Sequence, residues 1–377
     1  MKIKDFKSGN WIKQFEYKSF SPSLINHSWQ LDDEKLILML SEADKLLGEL
    51  NAFSAFIPDV DFFIQMHIFK EATTSSKIEG TQTNIEEALQ KIHNIDPEKK
   101  DDWQEVNNYT IAMNKSIDLL KSMPLCNRLL KIAHETLMNS VRGETKQPGE
   151  FRKSQNWIGG ASIKDAVFVP PIHHEIGDLM SDLELFLQNR DILVPKLIKI
   201  AIAHYQFQTI HPFLDGNGRT GRLLITLFLV SEGYLSKPTL YLSDFFNKHR
   251  ILYYDNLQAV RNNSNLLQWL YFFLEGVIQT AVSSKETFQK IITLKEDIEK
   301  NRLSQLGKKR PMAQKLIDHL YAQPIVETDD IVNEFQINKT TALRLIDDFI
   351  RLGILIETTG FKRNRIFVFK EYVGFFL

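Results

Sequence analysis

The chain has 377 residues, 43% hydrophobic and 25% charged, with a formal net charge of -1, a composition that fits a folded chain of two or three domains and excludes bulk electrostatic capture by nucleic acid. Its single cysteine, Cys126, excludes an intramolecular disulfide framework and any all-cysteine zinc site. The start MKIKDFKSGNW has no apolar signal segment and no run of about 18 apolar residues follows, so a cytoplasmic protein without a membrane partner is expected.

Apolar residues recur every three or four positions through most of the chain, which predicts a mainly α protein. An N-terminal helical region, 1–110, holds helices near 38–52 and 60–77. Gly80 suits the end of the second, and Asn84 with Glu87 three residues on caps a new start. The stretch Ile95-Asp96-Pro97-Glu98-Lys99-Lys100 reads as a surface turn. A core over 111–285 follows, and the central bundle draws on helices near 102–122, 126–140, 174–188, 194–209, 217–231 and 246–261. Within it, 155–171 reads as a hairpin, because Gly159-Gly160 separates two short apolar pieces and Pro170-Pro171 follow. A helical linker, 286–310, leads to a unit over 311–377 with helices at 312–322, 328–335 and 339–352. The third has an apolar face of Ala342, Leu345, Ile346, Phe349 and Ile350. Strand-like pieces at 354–357 and 365–369 flank a basic turn, Gly360-Phe361-Lys362-Arg363-Asn364. Three helices and a hairpin are the order of a winged helix.

The densest chemistry lies at the head of the 217–231 helix, in His211-Pro212-Phe213-Leu214-Asp215-Gly216-Asn217-Gly218-Arg219-Thr220-Gly221-Arg222. Gly216 to Gly221 matches the dinucleotide fingerprint G-x-G-x-x-G literally, but that motif needs a preceding strand, and 198–210 reads as a helix. Glycines at a helix N-terminus instead let backbone N–H groups turn toward an anion, and the helix dipole favours negative charge there. Arg219 and Arg222 suit phosphate oxygens, Asp215 suits Mg²⁺ through one carboxylate, and His211 suits a general base. Phe213 is expected to anchor the loop in the core.

These twelve residues resemble the signature of the Fic family, H-x-F-x-[DE]-G-N-G-R-x-x-R, with every fixed position present, and the resemblance extends over about 30–280. The resemblance implies a Fic-type helical bundle with a hairpin flap, and transfer of AMP from ATP to a Ser, Thr or Tyr hydroxyl of a target protein. In that scheme His211 is the base and Asp215 holds Mg²⁺. Gly216, Asn217 and Gly218 form the anion-binding turn, with Thr220 and Gly221 in the same nucleotide-binding stretch, and Arg219 and Arg222 steady the β- and γ-phosphates. Tyr254 resembles the aromatic on the adenine side, with Tyr253 beside it. The 155–171 segment is similar to the target-docking flap, and the resemblance also implies a homodimer.

Upstream, Ser75-Ser76-Lys77-Ile78-Glu79-Gly80 resembles the family's inhibitory motif [ST]-x-x-x-E-[GN]. It implies that Glu79 pairs with Arg222 and holds the donor meant for the γ-phosphate. Other readings stay open: phosphorylation, phosphocholination or AMP removal at the same site, and a DNA-binding regulator acting through the winged helix. For the last, Lys339, Arg344, Lys362, Arg363 and Arg365 are candidates for phosphate contact, although Asp347 and Asp348 share the third helix. A metal cluster of His173, His174, His204 and His211 lacks spaced carboxylate or cysteine partners.

Overall fold

A computed structural model describes residues 1–55, 60–141, 145–360 and 365–377. The chain opens on an antiparallel hairpin, β1 (Gly9–Lys13) and β2 (Lys18–Pro22), and continues through α1 (Glu34–Ala55), α2 (Val60–Ile78) and α3 (Ile85–Ala88). Next come α4 (Lys100–Leu119), α5 (Asn127–Leu137), α6 (Ile176–Gln188), α7 (Lys196–Ile210) and α8 (Asn217–Ser231). They are followed by α9 (Ser243–Lys248), α10 (Arg250–Asn263) and the long α11 (Leu266–Asp297). The last part is α12 (Arg310–Ala322), β3 (Ile325–Glu327), α13 (Thr328–Phe335), α14 (Lys339–Arg351), β4 (Ile356–Glu357), β5 (Ile366–Val368) and α15 (Lys370–Val373).

Helices α7 and α8 are buried on nearly every face, the mark of helices at the centre of a bundle. Trp269 of α11 donates its indole N–H to the Ala201 carbonyl of α7 at 2.8 Å, which fixes α11 across the core. The Asn84 capping box forms as expected, with Asn84 accepting from the Glu87 N–H at 2.8 Å and Glu87 accepting in return at 3.0 Å. Among the described residues, no helix is long and apolar enough to cross a membrane.

Several expectations need correction. The expected hairpin over 155–171 reduces to one bridge, Ile158 with Phe168, because Pro170 and Pro171 have no N–H to extend a ladder. The β1–β2 hairpin, which the sequence did not signal, lies beside it, and the Phe20 N–H donates to the Val169 carbonyl at 2.9 Å. The single helix expected over 246–261 is broken between α9 and α10 at His249 (φ -113°, ψ 37°). In the last unit, β3 joins the expected strands in a sheet of order β3-β5-β4. Ile350 turns outward at 37% exposure, while Ala342, Leu345, Ile346 and Phe349 are buried as expected. Of the basic turn, 361–364 lie outside the described residues.

This last unit packs on α2. The Phe63 ring of α2 lies 5.1 Å from Tyr321 of α12 and 6.3 Å from Tyr372 of α15. One turn along, His67 stands 4.6 Å from Phe288 of α11 and 5.0 Å from Phe376.

Candidate active site

The α7–α8 junction is a loop whose carbonyls are almost all held. Helix α7 ends when His211 adopts a left-handed conformation (φ 52°, ψ 59°), unusual for a residue with a Cβ and sustained only by its surroundings. Arg152 supplies them: its Nε donates to the His211 carbonyl at 3.0 Å, Nη1 to Ser154 at 3.0 Å and Nη2 to Pro171 at 2.6 Å. Its own N–H reaches the Pro212 carbonyl at 2.8 Å. This guanidinium is 2% exposed, and burial pushes its pKa down to about 10. The planar fork serves several carbonyls at once, which a lysine ammonium cannot do in the same geometry. Asn156 donates to the Phe213 carbonyl at 2.8 Å. His134 donates from Nε2 to the Asp215 carbonyl at 2.9 Å, accepts the Gly149 N–H at Nδ1, and stacks on the Phe213 ring at 3.7 Å. Phe213 is fully buried, as its anchoring role requires.

With these carbonyls held, α8 begins at Asn217 without a side-chain cap. Its first N–H groups and its dipole therefore favour an anion. The anion present is the carboxylate of Glu79, which lies so close over Gly218 that a Cβ there would collide with it. Nη2 of Arg222 donates to Oε1 of Glu79 at 2.7 Å and to the Ser75 carbonyl at 2.9 Å, while Nε donates to the Ser75 hydroxyl at 2.8 Å. The Arg222 side chain is 2% exposed and that of Glu79 is 35% exposed. Burial raises the Glu79 pKa, but the charge and hydrogen bond of Arg222, then Arg219 and His211, hold it below the ordinary value.

The structure brings Glu79 against Gly218 and Arg222, with the His211 charge acting on the same carboxylate, and places the other residues around them. Asp215 is exposed, with Oδ1 on the Gly216 N–H at 2.6 Å. Asn217 turns its side chain back to the loop, exchanging two hydrogen bonds of 2.8 Å with Phe213, so only its backbone faces an anion. The Thr220 hydroxyl donates to the Gly216 carbonyl at 2.9 Å and so holds the first turn of α8, while a Cβ on Gly221 would strike Gln208, so that glycine lets α8 lie close against α7. Arg219 diverges from Arg222 and pairs with Glu105 of α4 at 3.1 Å, while its buried Nε has no partner among the described residues. Tyr253 is buried with its hydroxyl 2.9 Å from Nε2 of His204, whereas Tyr254 is 41% exposed. Nδ1 of His204 lies 2.8 Å from the Gly221 carbonyl, and no group of three metal-ligating residues occurs among the described residues. Arg152, His134, Asn156 and Glu105 were missed by sequence reasoning. The available signal was His134 on the apolar side of α5, whereas Arg152 sits in the polar stretch Glu150-Phe151-Arg152-Lys153-Ser154.

Burial, then the Arg261 charge, pushes His211 down to about 3. It is therefore neutral at cellular pH, and with Nδ1 3.4 Å from the Gln208 carbonyl the Nε2 lone pair is left to accept a proton. Burial also lowers His67 and His204 to about 3 and His134 to about 4. For all four histidines the folded pKa lies below the unfolded value, so their contribution is full above about pH 6.5 and is lost as pH falls toward about 3. Each contributes a loss of about 2 kcal/mol between pH 7 and 5. Glu71, raised by burial, opposes them in part. Urea denaturation is expected to show the protein less stable at pH 5 than at pH 7 by about 2 kcal/mol or more; a pH-independent midpoint over that range would contradict this account.

Comparison with known proteins matches residues 37–118 to the Fic/DOC family N-terminal domain and residues 124–229 to the Fic/DOC family domain. The chain is 37% identical over 133 residues to the protein adenylyltransferase Fic of Aedes aegypti, a match covering 35% of this chain and 24% of that protein. It is 29% identical over 257 residues to the protein of the same name from Culex quinquefasciatus, covering 66% of this chain and 47% of that one. The aligned part thus spans less than half of either relative. In fold it is similar to a Fic family protein from Desulfovibrio desulfuricans G20, with a TM-score of 0.56 at 18% identity over 89% of this chain and 96% of that one. It is also similar to Fic-1 from C. elegans, with a TM-score of 0.52 at 18% identity over 68% and 73% of the two chains. With both domains present in order and the complete signature closing on an uncapped helix N-terminus, the chain belongs to the Fic family.

Proposed function

We propose that this chain is a cytoplasmic protein adenylyltransferase that moves AMP from ATP to a Ser, Thr or Tyr hydroxyl, and that Glu79 restrains it. The observation that carries the reading is the Glu79 carboxylate seated at the α8 N-terminus and on Arg222. It is an anion in an anion site, at the other end of a loop from a neutral histidine. The curated relatives bearing the name protein adenylyltransferase support the same activity.

In this mechanism Nε2 of His211 takes the proton of the target hydroxyl as its oxygen attacks the α-phosphorus. The bond from that phosphorus to the bridging oxygen breaks, and pyrophosphate leaves. Gly216 makes the turn by which Asn217 and Gly218 bring backbone N–H groups to the phosphates, Arg222 takes the γ-phosphate once Glu79 withdraws, and Arg219, whose Nε is unpaired among the described residues, serves the phosphates from the other side. Tyr254 is placed in this reading on the adenine side. Asp215 fits a metal that keeps most of its waters, because it is exposed and offers a single carboxylate. Asp215 would hold Mg²⁺ there, whose charge would offset that of the phosphates. The nearby phosphates also raise the basicity of His211 above its value in the free protein.

A homodimer belongs to the same reading and rests on the resemblance alone. Winged-helix DNA binding is disfavoured by the charges of α14: Lys339 pairs with Asp329 at 3.0 Å, and Asp348 holds Lys309 and Arg351. Incubation of the protein with ATP and Mg²⁺, followed by mass spectrometry, is expected to reveal a gain of one AMP on a hydroxyl side chain. A gain of phosphate instead would replace this reading with a kinase.

A further inference from the structure

Helix α2, which leads into Glu79, also presents a face to α9 and α11, and between the three lies a cavity of about 150 Å³. That volume takes a molecule of roughly benzene's size. Two residues of its wall, 5% and 6% exposed, each carry a buried polar atom with no partner among the described residues: Nε2 of His67 and the hydroxyl of Tyr241. Buried polar atoms are almost always paired, so two orphans in one small cavity point to a group that pairs with them. The two rings stand nearly parallel at 6.5 Å, interplanar angle 20°.

Glu71, in the same wall, is already committed. It accepts from the Tyr109 hydroxyl at 3.0 Å and from the Ser243 N–H and hydroxyl at 3.2 and 2.5 Å. Lys70 lines the cavity, is half-buried, and makes no ion pair among the described residues, because Asp244 across from it is held by Lys248 at 2.7 Å. Burial accordingly lowers the Lys70 pKa, with Asp244 raising it and Lys248 lowering it. Phe245 and Phe376 add apolar walls, and exposed Gln279 and Ser283 of α11 stand at the mouth.

We propose that this cavity binds a small organic anion with a flat apolar body. Its charged group lies on Lys70, its remaining acceptors reach Tyr241 and His67, and its occupancy alters the hold of α2 on Arg222. A hydroxyl, a neutral imidazole and an ammonium around a compact aromatic-walled space suit a carboxylate or phosphate on a ring better than a neutral or cationic molecule. The coupling follows from shared structure. His67, Lys70, Glu71 and Thr74 line the cavity from α2, and Ser75, next in sequence, is bound to Arg222. Displacement of this helix by a fraction of an ångström reaches both sites, since a packed helix moves as a unit. The coupling rests on the restraint proposed for Glu79, whereas the binding does not.

Calorimetric titration with benzoate, and with benzyl alcohol as its uncharged counterpart, tests the site in the full chain without ATP. Saturable benzoate binding is expected, about tenfold or more tighter than benzyl alcohol and weakened by a similar factor in Lys70→Met, the effect of one charge-assisted hydrogen bond. Tyr241→Phe is expected to weaken it less. Equal binding of the two probes to the wild type, or no saturable binding of benzoate, overturns the site. For the coupling, benzoate affinity is expected to differ between the wild type and Glu79→Gly, since linkage is reciprocal; equal affinities overturn it, whatever the outcome of any transfer assay.

Discussion

Replacing Glu79 by glycine is expected to raise transfer of label from α-labelled ATP by about tenfold or more. A hydrogen bond to a charged partner contributes about 1.5–3 kcal/mol, and each 1.4 kcal/mol is a factor of ten in occupancy. Glu79 is one-third exposed, so the lower part of that range applies. The same substitution is expected to make the ligand-free protein less stable, because Arg222 is 2% exposed and would lose its carboxylate partner while keeping the neutral acceptors of Ser75. ATP should then stabilise Glu79→Gly more than it stabilises the wild type. Thermal unfolding with and without ATP and Mg²⁺ checks this pair of opposite signs, which a merely loosened protein would not produce. Glu79→Gln, which keeps an acceptor and loses the charge, is expected to fall between the two. Transfer unchanged in Glu79→Gly would remove the restraint from the mechanism.

His211→Ala is expected to lower transfer by at least a hundredfold, within the 10²–10⁴ range of general-base catalysis. ATP binding should survive. The imidazole lies beside the anion site rather than in it, and the His211 backbone remains held by Arg152. Histidine and alanine both carry a Cβ, so the substitution leaves the strain of the left-handed conformation at φ 52° nearly unchanged. The combination to look for is a collapsed turnover with an ATP affinity close to that of the wild type. Comparable loss of both would mean that the loop had moved, and full turnover would assign the base elsewhere.

The sequence disclosed the chemistry at the α7–α8 junction because that chemistry is local. His211, Asp215, three glycines and two arginines fall in twelve residues, and a helix N-terminus among glycines has a known electrostatic sign. The sequence could not disclose which of these residues face the site. Arg219, Thr220 and Gly221 differ from Arg222 only by the turn of α8, and the packing of α4 and α7 decides which side each presents. The support of the loop was still less legible. Arg152, Asn156 and His134 act on backbone carbonyls roughly 55 to 80 positions away in sequence, and a carbonyl leaves no trace in a residue pattern. Helix positions followed from apolar periodicity, which reports a buried stripe. The break at His249 did not, having no glycine or proline to announce it, nor did the three-residue β3, which follows Pro324 but is too short to carry a readable alternation. The N-terminal hairpin escaped for a similar reason: Trp11, Ile12 and Phe20 lie in segments only five residues long.

The rings of Phe63, Tyr321 and Tyr372 carry a practical consequence for anyone shortening this chain. A version trimmed ahead of Arg310 would bare the aromatic side of α2, and the helix leading to Glu79 would lose the neighbour that fixes its tilt. Trimming would therefore alter the resting activity of what remains. A rate measured on a minimal catalytic fragment would describe an enzyme whose governor had been unbolted, even with every signature residue intact.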